Sequence, residues 1–452
     1  MEKIFIQEPM KTRYLEDIAS ELGFPMVSSP HPIKGYKADS RKVQAGDLFF
    51  AIPGQRTDGH MHLKEVAEKG AIAAVVSNSY RGEDFGLHLF YVDDVLDSLQ
   101  ELARRAVQNH RVPIVAVTGS VGKTTTKEFI FHLLSAKYKV GRTPGNANSQ
   151  VGFPLALLSM TGEEEVLVLE MGMTECGHIQ KLVSIAPPDI AVVTKIDFVH
   201  VDAFQGREGI AKAKAEIFSS PKTRLGVINI QAMEFSSLAK AGGIPKKTYG
   251  FADADFVIDP KTQEFCDDKG QKILIDLPFT ATHMIENFLG AVVVARELGL
   301  SYQEIRAQAK TLAPFHLRFE TLEINGVTYL NDCYNASLES MKAAFVNIPK
   351  DLSTKRKIAI LGEIKNLGSF SEFIHRSVAE IAVKHFDQFI CYGQECLAME
   401  EIFIKNERPA KFFSDFALLQ EHVEKTVSSG DFVLIKGSNG NQLWRLLESK
   451  KN

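Results

Sequence analysis

The sequence predicts an α/β protein of three domains: an N-terminal α/β domain, a central phosphate-loop domain on a mostly parallel sheet, and a C-terminal Rossmann-like domain. Three observations predict it. Short β-branched runs alternate with helical segments through the middle of the chain. A Gly-Lys-Thr-Thr loop follows the first of these runs and opens a helix. Three apolar runs nearer the C-terminus each end in glycine. A length of 452 residues suits about three domains.

The first block, 1–111, opens with Tyr14, Leu15, Ile18, Ala19 and Leu22 at helical spacing before Gly23. Asp47 to Ile52 reads as a strand stopped by Pro53-Gly54, and Val95, Leu99, Leu102 and Ala106 mark a long amphipathic helix. His110 to Pro113 reads as a linker. The second block, 112–315, holds the runs Ile114–Val117, Val166–Leu169, Ile190–Val193 and Leu225–Ile228, each suited to a buried strand. A helix from His283 to Leu298 follows, then another that ends before Pro314. The third block, 316–452, carries strands at 357–362, 389–393 and 432–437.

Composition removes several classes. The apolar share of 45% and charged share of 24% exclude fibrous and wholly disordered chains. A net charge of −4 gives no basic excess, so nucleic acid is not an expected partner. The five cysteines, Cys176, Cys266, Cys333, Cys391 and Cys396, show no paired spacing and are expected to be reduced thiols. Charges break every apolar run in the first residues, and the apolar stretch Phe288–Ala295 stops at Arg296. A cytoplasmic protein with no membrane span is expected.

The sharpest motif is Thr118-Gly119-Ser120-Val121-Gly122-Lys123-Thr124-Thr125 between a strand and a helix. Backbone N–H groups in such a loop bind phosphate oxygens, and the helix N-terminus adds positive potential. Lys123 is expected to reach the β- and γ-phosphates of ATP, and the Thr124 hydroxyl to ligate Mg²⁺. Val117 stands where the general pattern has glycine, so the loop is a shorter variant. Glu170 ends one strand, and His200 follows another. In a parallel sheet both fall on the edge that carries the phosphate loop, where a carboxylate and an imidazole can hold divalent ions.

Together with Gly145-Asn146-Ala147-Asn148, Glu170-Met171-Gly172 and Ala211 to Phe218, these motifs resemble, in order, those of the Mur ligase family. The resemblance covers nearly the whole chain. It implies ATP-dependent amide-bond formation in peptidoglycan precursor synthesis, through an acyl phosphate. Asp39-Ser40-Arg41, Gly46 to Phe49 and Asp58-Gly59-His60 resemble the family's UDP-sugar-binding first domain, which makes Ser40 and Arg41 donor-binding candidates. Asn331 to Ser337 and Ser340-Met341 resemble the branch that adds D-alanyl-D-alanine, and no Asp-Asn-Pro-Arg occurs.

The resemblance implies a first Mg²⁺ on Thr124 and Glu170, and a second served by His200 and a carbamylated Lys214. It implies nucleotide contacts from Asn287, Arg318 and Asp332, and substrate contacts from Asn148, Tyr334 and Asn335. The expected substrates are UDP-N-acetylmuramoyl-tripeptide and D-alanyl-D-alanine, on a monomer. Without the resemblance, Lys214 reads as part of a solvated helix face, and Arg318 and Asp332 as surface charges. Two departures weaken the acceptor assignment: Asn366 replaces a usual glutamate, and Asn439 a usual arginine. The alternatives are a sister ligase adding one amino acid and a phosphate-loop ATP-binding regulator.

Overall fold

A computed structural model describes residues 13–25, 32–54, 57–197, 204, 206–312, 317–348 and 356–448. Among them, three sheets form one after another along the chain. The first holds β1 (Gly35–Lys37), β2 (Asp47–Phe50), β3 (Ala73–Ser77) and β4 (His88–Val92), in that order and all parallel. Only β2 of these is marked in the sequence by an unbroken apolar run closed by Pro-Gly. The helix Val95–Asn109 covers this sheet, with Asp94 accepting a hydrogen bond from the Asp97 N–H at its start.

The central sheet contains β5 (Ile114–Thr118), β6 (Val140–Arg142), β7 (Val166–Glu170), β8 (Ile190–Val193), β9 (Leu225–Asn229), β10 (Lys246–Gly250), β11 (Phe256–Ile258), β12 (Glu264–Cys266) and β13 (Lys272–Leu274). Their spatial order is β13-β12-β11-β10-β9-β8-β5-β7-β6. Pairing is parallel from β6 to β11 and antiparallel across β12 and β13. The helices Lys123–Leu134 and Thr282–Glu297 pack together on one face, with Phe129 and Phe288 edge to face at 5.4 Å. Thr282–Glu297 is apolar nearly all round because it is enclosed by neighbours.

The third sheet runs β14 (Glu320–Ile324), β15 (Val327–Asn331), β19 (Phe432–Lys436), β16 (Lys357–Gly362), β17 (Gln388–Tyr392) and β18 (Ala410–Phe413). Only the β14–β15 hairpin is antiparallel.

The hydrophobic cores divide differently from the sheets. One cluster runs from Leu15, Phe50 and Leu99 through Phe153 to Ile210, so the first sheet and one face of the central sheet share a core. In the stretch 110–113 His110 and Val112 are buried, Val112 within this cluster, while Arg111 and Pro113 are exposed, so the linker is anchored by alternate side chains. The third sheet keeps its own clusters. It meets the central domain largely through polar contacts. Asp197 accepts hydrogen bonds from Ser337 Oγ (3.0 Å) and the Glu339 N–H (3.3 Å), at the start of the helix Leu338–Val346. At the other end of that helix, Asn347 Oδ1 accepts from the Thr282 N–H at 2.9 Å. Each domain thus satisfies a helix terminus of the other.

Among the described residues, no helix is long and apolar enough to cross a membrane. All five cysteines are free.

Candidate active site

The register of the central sheet builds the site. Val117 of β5 pairs with Glu170 of β7 and with Val192 of β8, so the phosphate loop, Glu170 and the segment after β8 leave the sheet at one edge. The third domain closes over that edge and leaves a cavity of about 530 Å³. From the central domain Ser120 to Thr125, Asn148, Glu170, Lys214 and Asn287 line it; from the third domain Arg318, Asp332, Tyr334 and Asn335 do. Gly119 lies behind the loop, with its carbonyl accepting from Lys123. His200 lies outside the described residues. Ser40 and Arg41 sit with the first sheet, away from this lining: Ser40 is buried, and Arg41 is exposed and paired with Asp39 at 2.8 Å.

The loop itself is a donor-rich cradle. Ser120 N–H donates to the Lys195 carbonyl at 2.7 Å, which pins the loop to the segment after β8. Gly122 has φ +89°, and a Cβ there would stand 2.5 Å from Asn287 Oδ1, so the close approach of the Asn287 amide requires glycine. The helix Lys123–Leu134 starts with no side-chain cap, which leaves its first N–H groups free to bind an anion. Lys123 Nζ folds back on the Gly119 and Ser120 carbonyls at 2.7 and 3.2 Å. Burial pushes its pKa down; nearby Glu170 opposes the shift, and Arg318 adds to it.

Glu170 is buried, and both of its carboxylate oxygens are engaged. Thr124 Oγ1 donates to Oε2 at 2.7 Å, and Asn148 Nδ2 donates to Oε1 at 2.6 Å. A hydroxyl beside a carboxylate forms half of a hard oxygen site that phosphates complete, as Mg²⁺ requires. Among the described residues, no cluster of three or more His, Cys, Asp or Glu forms a metal cage. The donor set fits Mg²⁺ with a triphosphate.

Lys214 is not on a solvated face. The helix Arg207–Ala215 turns it inward to 2% exposure, beside Ile210, Ala211 and Ala213. Burial drives its pKa far below the usual lysine range and the Lys123 charge adds to this, while Glu170 opposes it. The amine is thereby biased toward its neutral, nucleophilic form.

From the third domain, Leu317 (φ +62°) and Phe319 (φ +51°) hold left-handed backbone on either side of Arg318. Such conformations cost about 1–3 kcal/mol each and persist where surroundings enforce them. Here they turn Arg318 across the Tyr334 ring, at 3.8 Å from its centroid, and onto Thr125 Oγ1 at 3.3 Å. Arg318 is thus no ordinary surface charge. Nor is Asp332, whose Oδ2 accepts from the buried Lys436 at 2.5 Å.

Sequence reasoning missed Lys436. Its signal is a lysine closing the apolar run Phe432–Ile435 at the carboxyl end of a parallel strand. It also missed the ion pair of Lys195 with Glu286, at 2.7 Å on the cavity wall. His283, read from the sequence only as the start of a helix, also lines the cavity, and its buried Nδ1 has no partner among the described residues.

Burial holds the His283 pKa down at about 4; Asp332 opposes the shift, while Lys436, Lys195 and Arg318 support it. Between pH 6.5 and about 4 the unfolded chain carries the extra proton on this residue. Its contribution to stability is full above pH 6.5 and is lost on acidification, by about 3 kcal/mol at most. Urea unfolding across that window is expected to show a shallower pH slope for His283→Asn than for the unmodified protein.

Comparison with known proteins follows the same division of the chain. Residues 32–114 match the model described as Mur ligase family, catalytic domain. Residues 117–295 match the Mur ligase middle domain, and 317–439 match the Mur ligase glutamate ligase domain. A Bacillus subtilis protein named UDP-N-acetylmuramoyl-tripeptide--D-alanyl-D-alanine ligase is 32% identical over 426 residues, 92% of this chain and 93% of its own length. An Escherichia coli protein of the same name is 30% identical over 80% of this chain and 81% of its own. The crystal structure of MurF ligase from Thermotoga maritima in complex with ADP superposes with a TM-score of 0.76 at 28% identity, covering 92% of this chain and 96% of that one. MurF from Acinetobacter baumannii, at 24% identity, shares the fold with a TM-score of 0.83 over 98% of both chains.

Proposed function

We propose that this chain, which belongs to the Mur ligase family, joins D-alanyl-D-alanine to UDP-N-acetylmuramoyl-tripeptide at the expense of ATP. The observation that carries the reading is the single cavity in which a phosphate cradle, a buried Thr124–Glu170 oxygen pair and the Arg318–Tyr334 platform face one another. Residues 1–111 serve the donor's UDP-sugar, 112–315 the nucleotide, and 316–452 the closure and the acceptor. The protein works as a cytoplasmic monomer.

A carboxylate is a poor electrophile, so the donor's terminal carboxylate first attacks the γ-phosphorus of ATP and ADP departs. The dipeptide amine then adds to the acyl phosphate carbonyl, the tetrahedral adduct expels phosphate, and an amide remains. The residues position these groups and stabilise charge; no protein nucleophile is needed.

Lys123 leaves its parked carbonyl contacts to meet the β- and γ-phosphates, and the loop N–H groups orient them. Asn287 meets the adenine side, with Asp332 and Arg318 reaching the nucleotide from the third domain. Thr124 and Glu170 hold one Mg²⁺, with His200 and the Lys214 carbamate serving a second. When bound, these ions neutralise charge on the transferring phosphoryl group. The neutral Lys214 amine adds to CO₂, forms an N–C bond and releases a proton, which would give the second ion an anionic oxygen donor. Asn148 faces the donor, while Tyr334 and Asn335 face the acceptor. Closure by the third domain excludes water, which otherwise hydrolyses the acyl phosphate.

Phosphate release is the test. It is expected only when ATP, the UDP-tripeptide and D-alanyl-D-alanine are all present. Release without acceptor indicates an ATPase, and none under any combination indicates a binding module.

A further inference from the structure

We infer that Lys127 is a positioning residue for the peptide donor, acting through the 143–150 loop and not by touching substrate. The inference rests on the ligase reading above. Lys127 lies one helical turn beyond Lys123 and Thr124 on the same helix face, yet it is absent from the cavity lining and completely buried. A buried ammonium is unfavourable unless acceptors take its protons. Here they do. Nζ donates to the Thr143 carbonyl at 2.7 Å and to the Gly145 carbonyl at 3.0 Å, and it pairs with Glu128 at 3.1 Å. Glu170 Oε2 stands 3.9 Å away.

Both carbonyls belong to the chain as it leaves β6, where strand partners end. The same stretch holds Glu170 twice more. Thr143 Oγ1 accepts from the Glu170 N–H at 2.9 Å, and Asn148 reaches its carboxylate. The Asn148 carbonyl also accepts from the Gly172 N–H at 2.9 Å, just past β7. Asn146, Asn148, Ser149 and Gln150 then line the cavity. Lys127 is therefore the pin between the phosphate-loop helix and the loop that presents amide side chains to the donor. A methylene chain without the ammonium takes the donor from the buried Thr143 carbonyl and the part-buried Gly145 carbonyl and frees that loop.

A cation that serves only the fold affects all three substrates alike, whereas a loop pin affects one. For Lys127→Met, donor KM is expected to rise about tenfold or more and kcat to fall about tenfold, with the KM for ATP and for D-alanyl-D-alanine within about twofold. Hydrogen exchange is expected to speed up at 145–150 while the helix 123–134 stays protected. An unchanged donor KM, or three KM values moving together, overturns the inference. Should Lys127→Met fail to fold, Gly145→Val carries the test: φ is +51° there, and open space surrounds the new side chain. It strains the same loop with the charge kept, so donor KM must again rise alone, and an unchanged value overturns the pin. The unmodified enzyme separates the two readings. If it releases no phosphate with all substrates, the ligase reading fails; if it turns over and Lys127→Met matches it, only the pin fails.

Discussion

Lys123→Met is expected to lower kcat at least about a thousandfold, a loss of about 4 kcal/mol of transition-state stabilisation. The fold should survive. Among the described residues the ammonium donates to the loop's own Gly119 and Ser120 carbonyls, so its loss removes a local contact of the loop. The charge matters when a phosphoryl group moves, because negative charge then spreads over oxygens that the loop N–H groups alone do not neutralise. Steady-state phosphate release, with far-ultraviolet circular dichroism as the folding control, checks this. A variant within about tenfold of the unmodified rate removes Lys123 from the phosphoryl-transfer step.

The second large effect belongs to Lys214. Lys214→Ala is expected to lose ligation by about a hundredfold while still folding, since on the proposed reading carbamate oxygens, and not an alkyl chain, would serve the metal. The direction of its pKa also gives a pH signature. A lowered pKa favours the neutral amine that CO₂ needs, whereas acid protonates the amine and releases CO₂. Enzyme held at low pH in CO₂-free buffer is expected to return to neutral pH with reduced activity, and bicarbonate to restore it. Bicarbonate should do nothing for Lys214→Ala. Full activity in the alanine variant removes Lys214 from the site.

What the sequence makes visible depends on how local each interaction is. The phosphate loop is legible because its donors are consecutive backbone N–H groups between one strand and one helix. Glu170 is legible because it closes an apolar strand, and parallel pairing sets it against Val117. The inward turn of Lys214 is not legible from Ala211-Lys212-Ala213-Lys214-Ala215 itself, since a polar run with helical spacing suits a solvated face equally well. Burial there comes from packing of the whole domain, and the neighbouring charges come from Lys123 and Glu170, far away in sequence.

Other features depend on partners the chain supplies much later. The Asp197–Ser337 contact joins residues 140 positions apart, and no local pattern announces it. Lys127 reads as a polar helix residue until Thr143 and Gly145 come round to meet it. The strands β11, β12 and β13, three residues each, are too short for periodicity to mark them. Ser40 and Arg41 show the reverse case. Their motif is clear in the sequence, but the fold sets them in a short 3-10 turn between β1 and β2, outside the cavity lining.

On the proposed mechanism, the phosphoryl group of ATP held by Lys123 passes to the donor carboxyl before nitrogen attacks. A donor carrying heavy oxygen in its terminal carboxylate tests this directly, with mass spectrometry of the phosphate released in a single turnover. Transfer through an acyl phosphate carries one labelled oxygen into that phosphate. Phosphate free of label, alongside normal formation of the pentapeptide product, contradicts it.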